Sequence, residues 1–425
     1  MTEIELSRYD QDLLSGKFGE TKKKAMKIIL RMAEMQGAVQ LIDVSKAHID
    51  GCAYNGEASI LFPREMAKDG SQVSVPTTMN AISIDKRRYN AAGLDAGFEE
   101  KGNQVTLEYE KMGVQPTYAC TPYQLPGAPE FGEHIAWAES NAVVFANSVI
   151  GARSNRYGDF MDLCIALTGR APLSGYHLDE ERLGTIHIRL HDIEHIDSFL
   201  YPILGYLVGH RAGKGVPVME GLNHEPDHDD LKAFGAALAT SGAVGMFHIV
   251  GVTPEAPSVE AAFGNRKPSE VWHITKEELS ETWQKLKPAD NDRLDFILMG
   301  SPQLSLDEFK QINEFVMDKE IHLDVKLILT TNRYAYDAAE KLGYIDEIKR
   351  FGAEIITDSC LCMINPFIES YIQKDTCKIM TNSGKFVHYG PALLNKDDVS
   401  ISSTMDCLQS AVSGFTTLTV PEWLK

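Results

Sequence analysis

From about residue 290 onward, short apolar runs alternate with amphipathic ones, and no other feature narrows the fold as much. Residues 294–299 form an apolar run of strand length. Ser305-Leu306-Asp307-Glu308 then has the S-x-x-E form of a capping box, opening a helix with Phe309, Ile312 and Phe315 on one face. Further strands are expected at 326–329, 354–356 and 378–380, with a helix over 335–342. Strands alternating with helices predict a parallel, doubly wound α/β sheet.

That architecture locates a site, because open α/β sheets bind ligands beyond the carboxyl ends of their strands. Here those ends carry Gly300-Ser301-Pro302, Thr330-Thr331-Asn332, Asp358-Ser359-Cys360 and Thr381-Asn382-Ser383. A helix N-cap explains any one of them equally well. Four together, one beside a cysteine, favour a site.

The rest of the chain is less regular. Residues 21–36 have the apolar spacing of an amphipathic helix that Gly37 ends, and 39–44 read as a buried strand. A helical region rich in small residues is expected over 139–169, and Asp229 or Asp230 is expected to cap a helix over 231–238. Two regions are expected: an α/β region over 1–289 and the doubly wound domain over 290–425.

Composition excludes several classes. A net charge of -19 repels phosphate backbones and anionic lipid, so neither nucleic acid nor membrane is an expected partner. The 236–252 segment is short of a membrane span and is broken by Thr240, Ser241 and His248. The N-terminus lacks the basic and apolar regions of a secretory signal, so a cytoplasmic location is expected. Seven cysteines without a C-x-x-C pair do not make a disulfide scaffold; they are buried apolar residues, metal ligands or catalytic groups.

Two segments concentrate chemistry. Cys120 precedes a Thr-Pro turn. Residues 132–159 set Glu139, Ser140, Asn141, Asn147, Ser148, Arg153, Ser154, Asn155 and Arg156 among small apolar residues. So many polar groups need partners, and an arginine fork suits a substrate carboxylate; a capped helix with an ion-paired arginine is the plainer reading.

The string AESNAVVFANSVIGARSN, with CTPY before it and GVTPEAP after it, closely resembles the aconitase X family. The resemblance continues through VPTTMN, ITDSC, TNSGKFVHYGP and STMDCLQSAVSG, and so covers most of the chain in order. It implies an aconitase-like multi-domain α/β core and an iron–sulfur hydro-lyase that removes water from a small hydroxy acid. Three separated cysteines hold the cluster in that family, and Cys120, Cys360 and Cys407 match them. An iron left open to substrate acts as a Lewis acid on the leaving hydroxyl. Cys362 lies close enough to Cys360 to remain a candidate. At Ser301 the family allows a cysteine, so this serine bears on the ligand set or serves as a substrate contact.

The resemblance also implies Ser383 as a base or a cap, and Lys385 as its activator or a carboxylate partner. Within the polar segment, Glu139, Ser140, Asn141, Asn147, Ser148, Arg153 and Asn155 are the expected substrate-binding residues, together with Ser301. Aconitases close their site with a swivelling domain, and none is recognisable in this sequence; a separate small subunit is the implied partner. Two substrates follow from the family, cis-3-hydroxy-L-proline and mevalonate 5-phosphate. Free use of Met, Gln and Asn favours the first. A binding subunit that has lost the cluster is the competing class. A nicotinamide-dependent dehydrogenase is disfavoured because no strand is followed by G-x-G-x-x-G.

Overall fold

The computed structural model describes residues 4–87, 94–191, 193–363, 367 and 377–425. The C-terminal part forms a five-stranded sheet of Phe296–Leu304, Lys326–Thr331, Glu354–Thr357, Ile379–Thr381 and Val399–Ile401, every neighbouring pair parallel. Numbered along the chain, the strands lie in the order 3-2-1-4-5. The winding therefore reverses between Phe296–Leu304 and Ile379–Thr381, which is where a doubly wound sheet opens its crevice.

Local chemistry sets these elements. Ser305 accepts from the Glu308 backbone N–H at 3.1 Å and donates its own N–H to the Glu308 side chain at 2.8 Å, so the capping box forms. Asn332, Ser383 and Ser403 cap the helices Arg333–Lys341, Gly384–Leu394 and Thr404–Ser413. Gly300 lets the first strand pass close to the second: at φ 108°, a Cβ there would lie 2.2 Å from the Thr330 carbonyl oxygen.

The region before residue 290 holds two separate parallel sheets. One is Thr77–Met79, Ala47–Ile49 and Ala136–Trp137, with Ala47–Ile49 in the middle. The other runs His248–Ile249, Pro217–Glu220, Ile186–Leu190 and Glu270–Ile274. The expected strand over 39–44 shrinks to Leu41–Asp43 and pairs only with Arg170–Pro172, antiparallel, leaving Asp43 exposed. The expected helical region over 139–169 breaks into Ser140–Phe145, a π turn over Ala146–Ile150 and Met161–Thr168. Gly151 at φ 78° ends the first part, and Asn147 closes the turn by accepting from the Ser154 N–H at 2.9 Å.

The helix expected over 231–238 runs from His228 to Ser241, and its cap is Asp227, reciprocated by Asp230. It packs against Leu200–Ala212 through glycines. A Cβ at Gly205 would sit 2.4 Å from the Phe234 carbonyl, and one at Gly209 2.4 Å from that of Leu238. The Ala/Gly-rich 236–252 segment is thus the end of a tightly packed helix and a buried strand. Among the described residues, no helix is long and apolar enough to cross a membrane.

This packing gives a direct expectation. Gly209→Val forces the two helices apart and costs about 1–3 kcal/mol or more by the usual scale of overpacking. Chemical denaturation followed by circular dichroism measures it; an unchanged midpoint contradicts the close-packing account.

Candidate active site

Two parallel sheets meet at their carboxyl edges. The three-stranded sheet presents Asp50, Asn80 and Glu139 there, just beyond its strands. Residues 115–119 run alongside Thr77–Met79, with the Ala119 N–H donating to the Met79 carbonyl at 3.1 Å, and they deliver Cys120 to the same edge. The five-stranded sheet presents Ser301, Asn332, Cys360 and Ser383.

The joint between these edges is polar and fully enclosed. Gln303 accepts from the Cys120 N–H at 2.9 Å, and its amide nitrogen donates toward the carbonyls of Ser359 (2.8 Å), Tyr118 (3.2 Å) and Thr331 (3.2 Å). Its backbone N–H points at the Cys120 sulfur, 3.3 Å away. Arg333 grips Asp358 through two bonds of 2.9 and 2.8 Å and lies over the Tyr118 ring. Asp85 accepts from the N–H and hydroxyl of Thr357. Tyr118 and Asp358, each two residues before a cysteine, have φ of 50° and 64°. For a bulky tyrosine that left-handed conformation is costly and persists only where surroundings hold it.

Cys120 and Cys360 share one apolar cluster with Ala81, and Cys362 and Met363 pack against it. A 3-10 turn over Leu361–Met363 brings Cys362 back towards Cys360. The Cys362 sulfur lies 3.8 Å from the Ser301 hydroxyl. Burial, and then the Glu139 carboxylate, push the Cys120 thiol up to about 12. The hydrogen bond between Cys360 and Cys362 holds Cys360 well above the ordinary thiol range and Cys362 down at about 6. Lys385 stands beside them in an ion pair with Glu139, both buried. Burial works against the lysine's charge, but Glu139 and the three cysteines outweigh it and hold Lys385 above its usual range.

Glu139 and Asn141 are drawn into this centre. Asn141 donates to the Cys120 carbonyl at 2.7 Å and to Glu139 at 2.9 Å, and accepts from the Tyr123 hydroxyl at 2.7 Å. The other residues of the 139–155 segment are not brought there. Ser140 opens the helix that Glu139 caps. Asn147 binds Ser154 and Gly245, Ser148 binds the Phe247 N–H, and Asn155 binds Ser174 and Tyr176. Those contacts lock loops together. Arg153 pairs with the exposed Asp179 and donates to the His177 carbonyl, so no fork is left free for a carboxylate at the cysteine cluster.

Cys407, the expected third ligand, is also not brought to the cluster. It faces the apolar core on the other side of the sheet, with Ile297, Met299, Met380 and Leu408, and its thiol reaches only the Ser402 carbonyl at 4.0 Å. Its helix explains why: Cys407, Leu408 and Ala411 share the inward face. Ser383 donates to the Ser301 carbonyl and accepts from the Phe386 N–H at 3.0 Å. Its hydroxyl caps the helix and fixes Ser301 rather than standing free as a base. Gln303 is the residue that sequence reasoning missed; it carries no motif, and only its position just past a strand end hints at the site.

Ser301 and Ser383 open onto a cleft of about 420 Å³ at the point where the sheet's winding reverses. Seven carboxyl groups line it, Asp197, Asp227, Asp229, Asp230, Glu308, Asp406 and Glu422, against the single cation Lys232. Lys232 is itself bound to Asp229 at 2.7 Å and to Glu308. Burial raises Asp230 to about 6 and raises Asp197 as well.

The donor set suits a group rich in sulfur. Among the described residues, no three His, Cys, Asp or Glu side chains converge tightly enough to take one bare metal ion. Three cysteines on facing loops beside a buried ammonium instead fit an iron–sulfur cluster, whose irons are held by separate thiolates.

Three family models match in succession, the aconitase X first domain over residues 3–180, the second over 184–284 and the third over 294–413. A cis-3-hydroxy-L-proline dehydratase of Pseudomonas aeruginosa is 44% identical over 420 residues, covering 99% of this chain and 72% of that protein. A phosphomevalonate dehydratase large subunit of Methanocaldococcus jannaschii is 34% identical over 400 residues, covering 92% of this chain and 96% of that one. The crystal structure of Thermococcus kodakaraensis aconitase X in its holo-form superposes with a TM-score of 0.85 at 33% identity, covering 96% of this chain and all of that one. The two sheets joined at their carboxyl edges, and the three domain matches that follow one another along the sequence, identify the chain as a member of the aconitase X family.

Proposed function

We propose that this protein is an iron–sulfur dehydratase that removes water from a small hydroxy acid, with cis-3-hydroxy-L-proline as its substrate. The observation that carries the reading is the meeting of Cys120, Cys360 and Cys362 beside the Lys385–Glu139 pair, next to a cleft at the sheet's reversal point. These three cysteines are the proposed ligands. When bound, the cluster supplies a Lewis acid for the leaving hydroxyl.

The chain's own residues supply the rest. Lys385 offsets the negative charge of the thiolates, and Glu139 keeps it cationic and aimed. Asn141 and Gln303 fix the Cys120 loop. Ser383 fixes Ser301, whose hydroxyl lies between the cleft and Cys362. The acidic cleft favours hydroxyproline over a phosphorylated acid: its carboxylates attract a secondary ammonium and repel a phosphate. The 44% identity to two proteins named for the hydroxyproline reaction points the same way. The phosphomevalonate enzymes named as large subunits support a separate small subunit as this protein's partner.

Two experiments test this. Anaerobically prepared protein, with the small subunit if one is encoded, is assayed on both acids while iron and sulfide are measured. Turnover of cis-3-hydroxy-L-proline alone is expected; turnover of mevalonate 5-phosphate alone overturns the substrate assignment, and absence of iron and sulfide overturns the class.

Single alanine variants then test the ligands. Cys120→Ala, Cys360→Ala and Cys362→Ala each lose the cluster's visible absorption together with activity. Cys407→Ala keeps its absorption and is destabilised only by the ~1 kcal/mol scale of a small core truncation. Full absorption in Cys362→Ala, or none in Cys407→Ala, refutes the ligand set.

A further inference from the structure

Thr419, Val420, Pro421 and Glu422 form a continuous wall of the cleft into which Ser301 and Ser383 open. The segment that carries them starts on the five-stranded-sheet domain. The Thr416 N–H donates to the Asp292 carbonyl at 2.8 Å, and the Thr419 N–H donates to Asp406 Oδ1 at 3.2 Å. Ser402 also donates to Asp406, at 2.8 Å, and so fixes that acceptor.

The segment ends on a different domain. The Glu422 N–H donates to Asp197 Oδ2 at 3.0 Å, just ahead of the helix Leu200–Ala212. Glu422–Leu424 then makes one 3-10 turn against the helix Lys276–Leu286. That turn buries Trp423 completely in the core built on the four-stranded sheet, in one cluster with Ile188, Ile274 and Trp283. Between the two attachments Thr419 and Val420 are exposed, Val420 at 53%. The wall is thus a strap across two domains, tied by Asp406 at one end and by Asp197 and a buried indole at the other.

The indole anchors by volume alone. No described residue accepts from its N–H, and a buried N–H without a partner is unfavourable. What holds Trp423 in place is the apolar area it buries, which is the largest that one side chain can offer.

We propose that Trp423 is a positioning residue of the substrate cleft, acting through the strap Thr419–Glu422, which sets the cleft's width and its grip on a small hydroxy acid. This rests on the dehydratase reading. The strap lines the cleft, whereas Cys120 and Cys360 lie in a separate cluster with Ala81, and Lys385 is paired with Glu139. Loosening the strap therefore removes binding that the ground state and the transition state share. That raises KM and leaves kcat in place.

The test uses the holoenzyme, with its small subunit if one is encoded. Trp423→Ala is expected to raise KM for cis-3-hydroxy-L-proline about tenfold or more with kcat within about threefold, while iron and sulfide content hold. Trp423→Phe fills the same core without the idle N–H and brings KM back to within about threefold of wild type. Val420→Trp adds bulk to the exposed strap without touching the core, and raises KM at an unchanged melting temperature. In wild type, hydrogen exchange over residues 418–425 slows when the acid is bound.

A wild-type KM in Trp423→Ala, with only a lowered melting temperature, makes the residue a plain staple between domains and overturns the proposal. A wild-type KM in Val420→Trp, or exchange that the acid does not move, overturns it too. If Trp423→Ala fails to fold, Val420→Trp and the exchange measurement decide. A wild type inert towards every hydroxy acid brings down the dehydratase reading and this role with it. An active wild type whose strap variants keep their KM brings down the role alone.

Discussion

Gln303 has its amide shut inside the protein, where an unpaired polar group costs a few kcal/mol, and backbone from three different loops satisfies it. Two of those loops end in cysteines, Cys120 on one sheet and Cys360 on the other. A single neutral side chain therefore sets the spacing of the sulfurs. Arg333 with Asp358, and Asp85 with Thr357, fasten the same loops from outside, and the left-handed Tyr118 and Asp358 persist because these bonds over-determine them.

The Glu139–Lys385 pair adds charge to this frame. Removing one partner from a buried pair strands the other at a cost of about 3–5 kcal/mol, so such a pair is kept where its charge has work to do. Three thiols gather around the ammonium here, and the acidic cleft lies just beyond. The positive spot inside a protein of net charge -19 is local and small. It suits a compact ligand that carries both signs.

The C-terminal sheet was legible because each strand is short, apolar and followed by a cap that the sequence spells out, as at Ser305 and Glu308. The final strand, Val399–Ile401, was not, since three residues beside charged neighbours carry no periodicity. In the site, Cys120, Cys360, Glu139, Asn141 and Lys385 stood in motifs, and they do converge. Asn147, Ser148, Arg153 and Asn155 stood in a motif too, but they fasten loops, through bonds to Gly245, Phe247, His177 and Ser174. Cys407 lies in the core of the sheet's other face, and Cys362 packs beside Cys360. The helical face shared by Cys407, Leu408 and Ala411 already marked a core residue, whereas the turn that folds Cys362 back cannot be read from a spacing of two.

The meeting of two sheets edge to edge also fixes an order of events in the life of the molecule. Cys120 lies on a loop beside the three-stranded sheet and Cys360 on a loop that follows a strand of the five-stranded sheet, and the two share one small cluster, so neither domain alone can offer the full set of sulfurs. A ligand held by both loops enters only after the two domains have folded and docked, and it then ties them together. Loss of either core releases it. In the proposed holoenzyme, metal delivery is accordingly the last step of maturation, and retention of the cluster reports on whether the interface beneath it is intact.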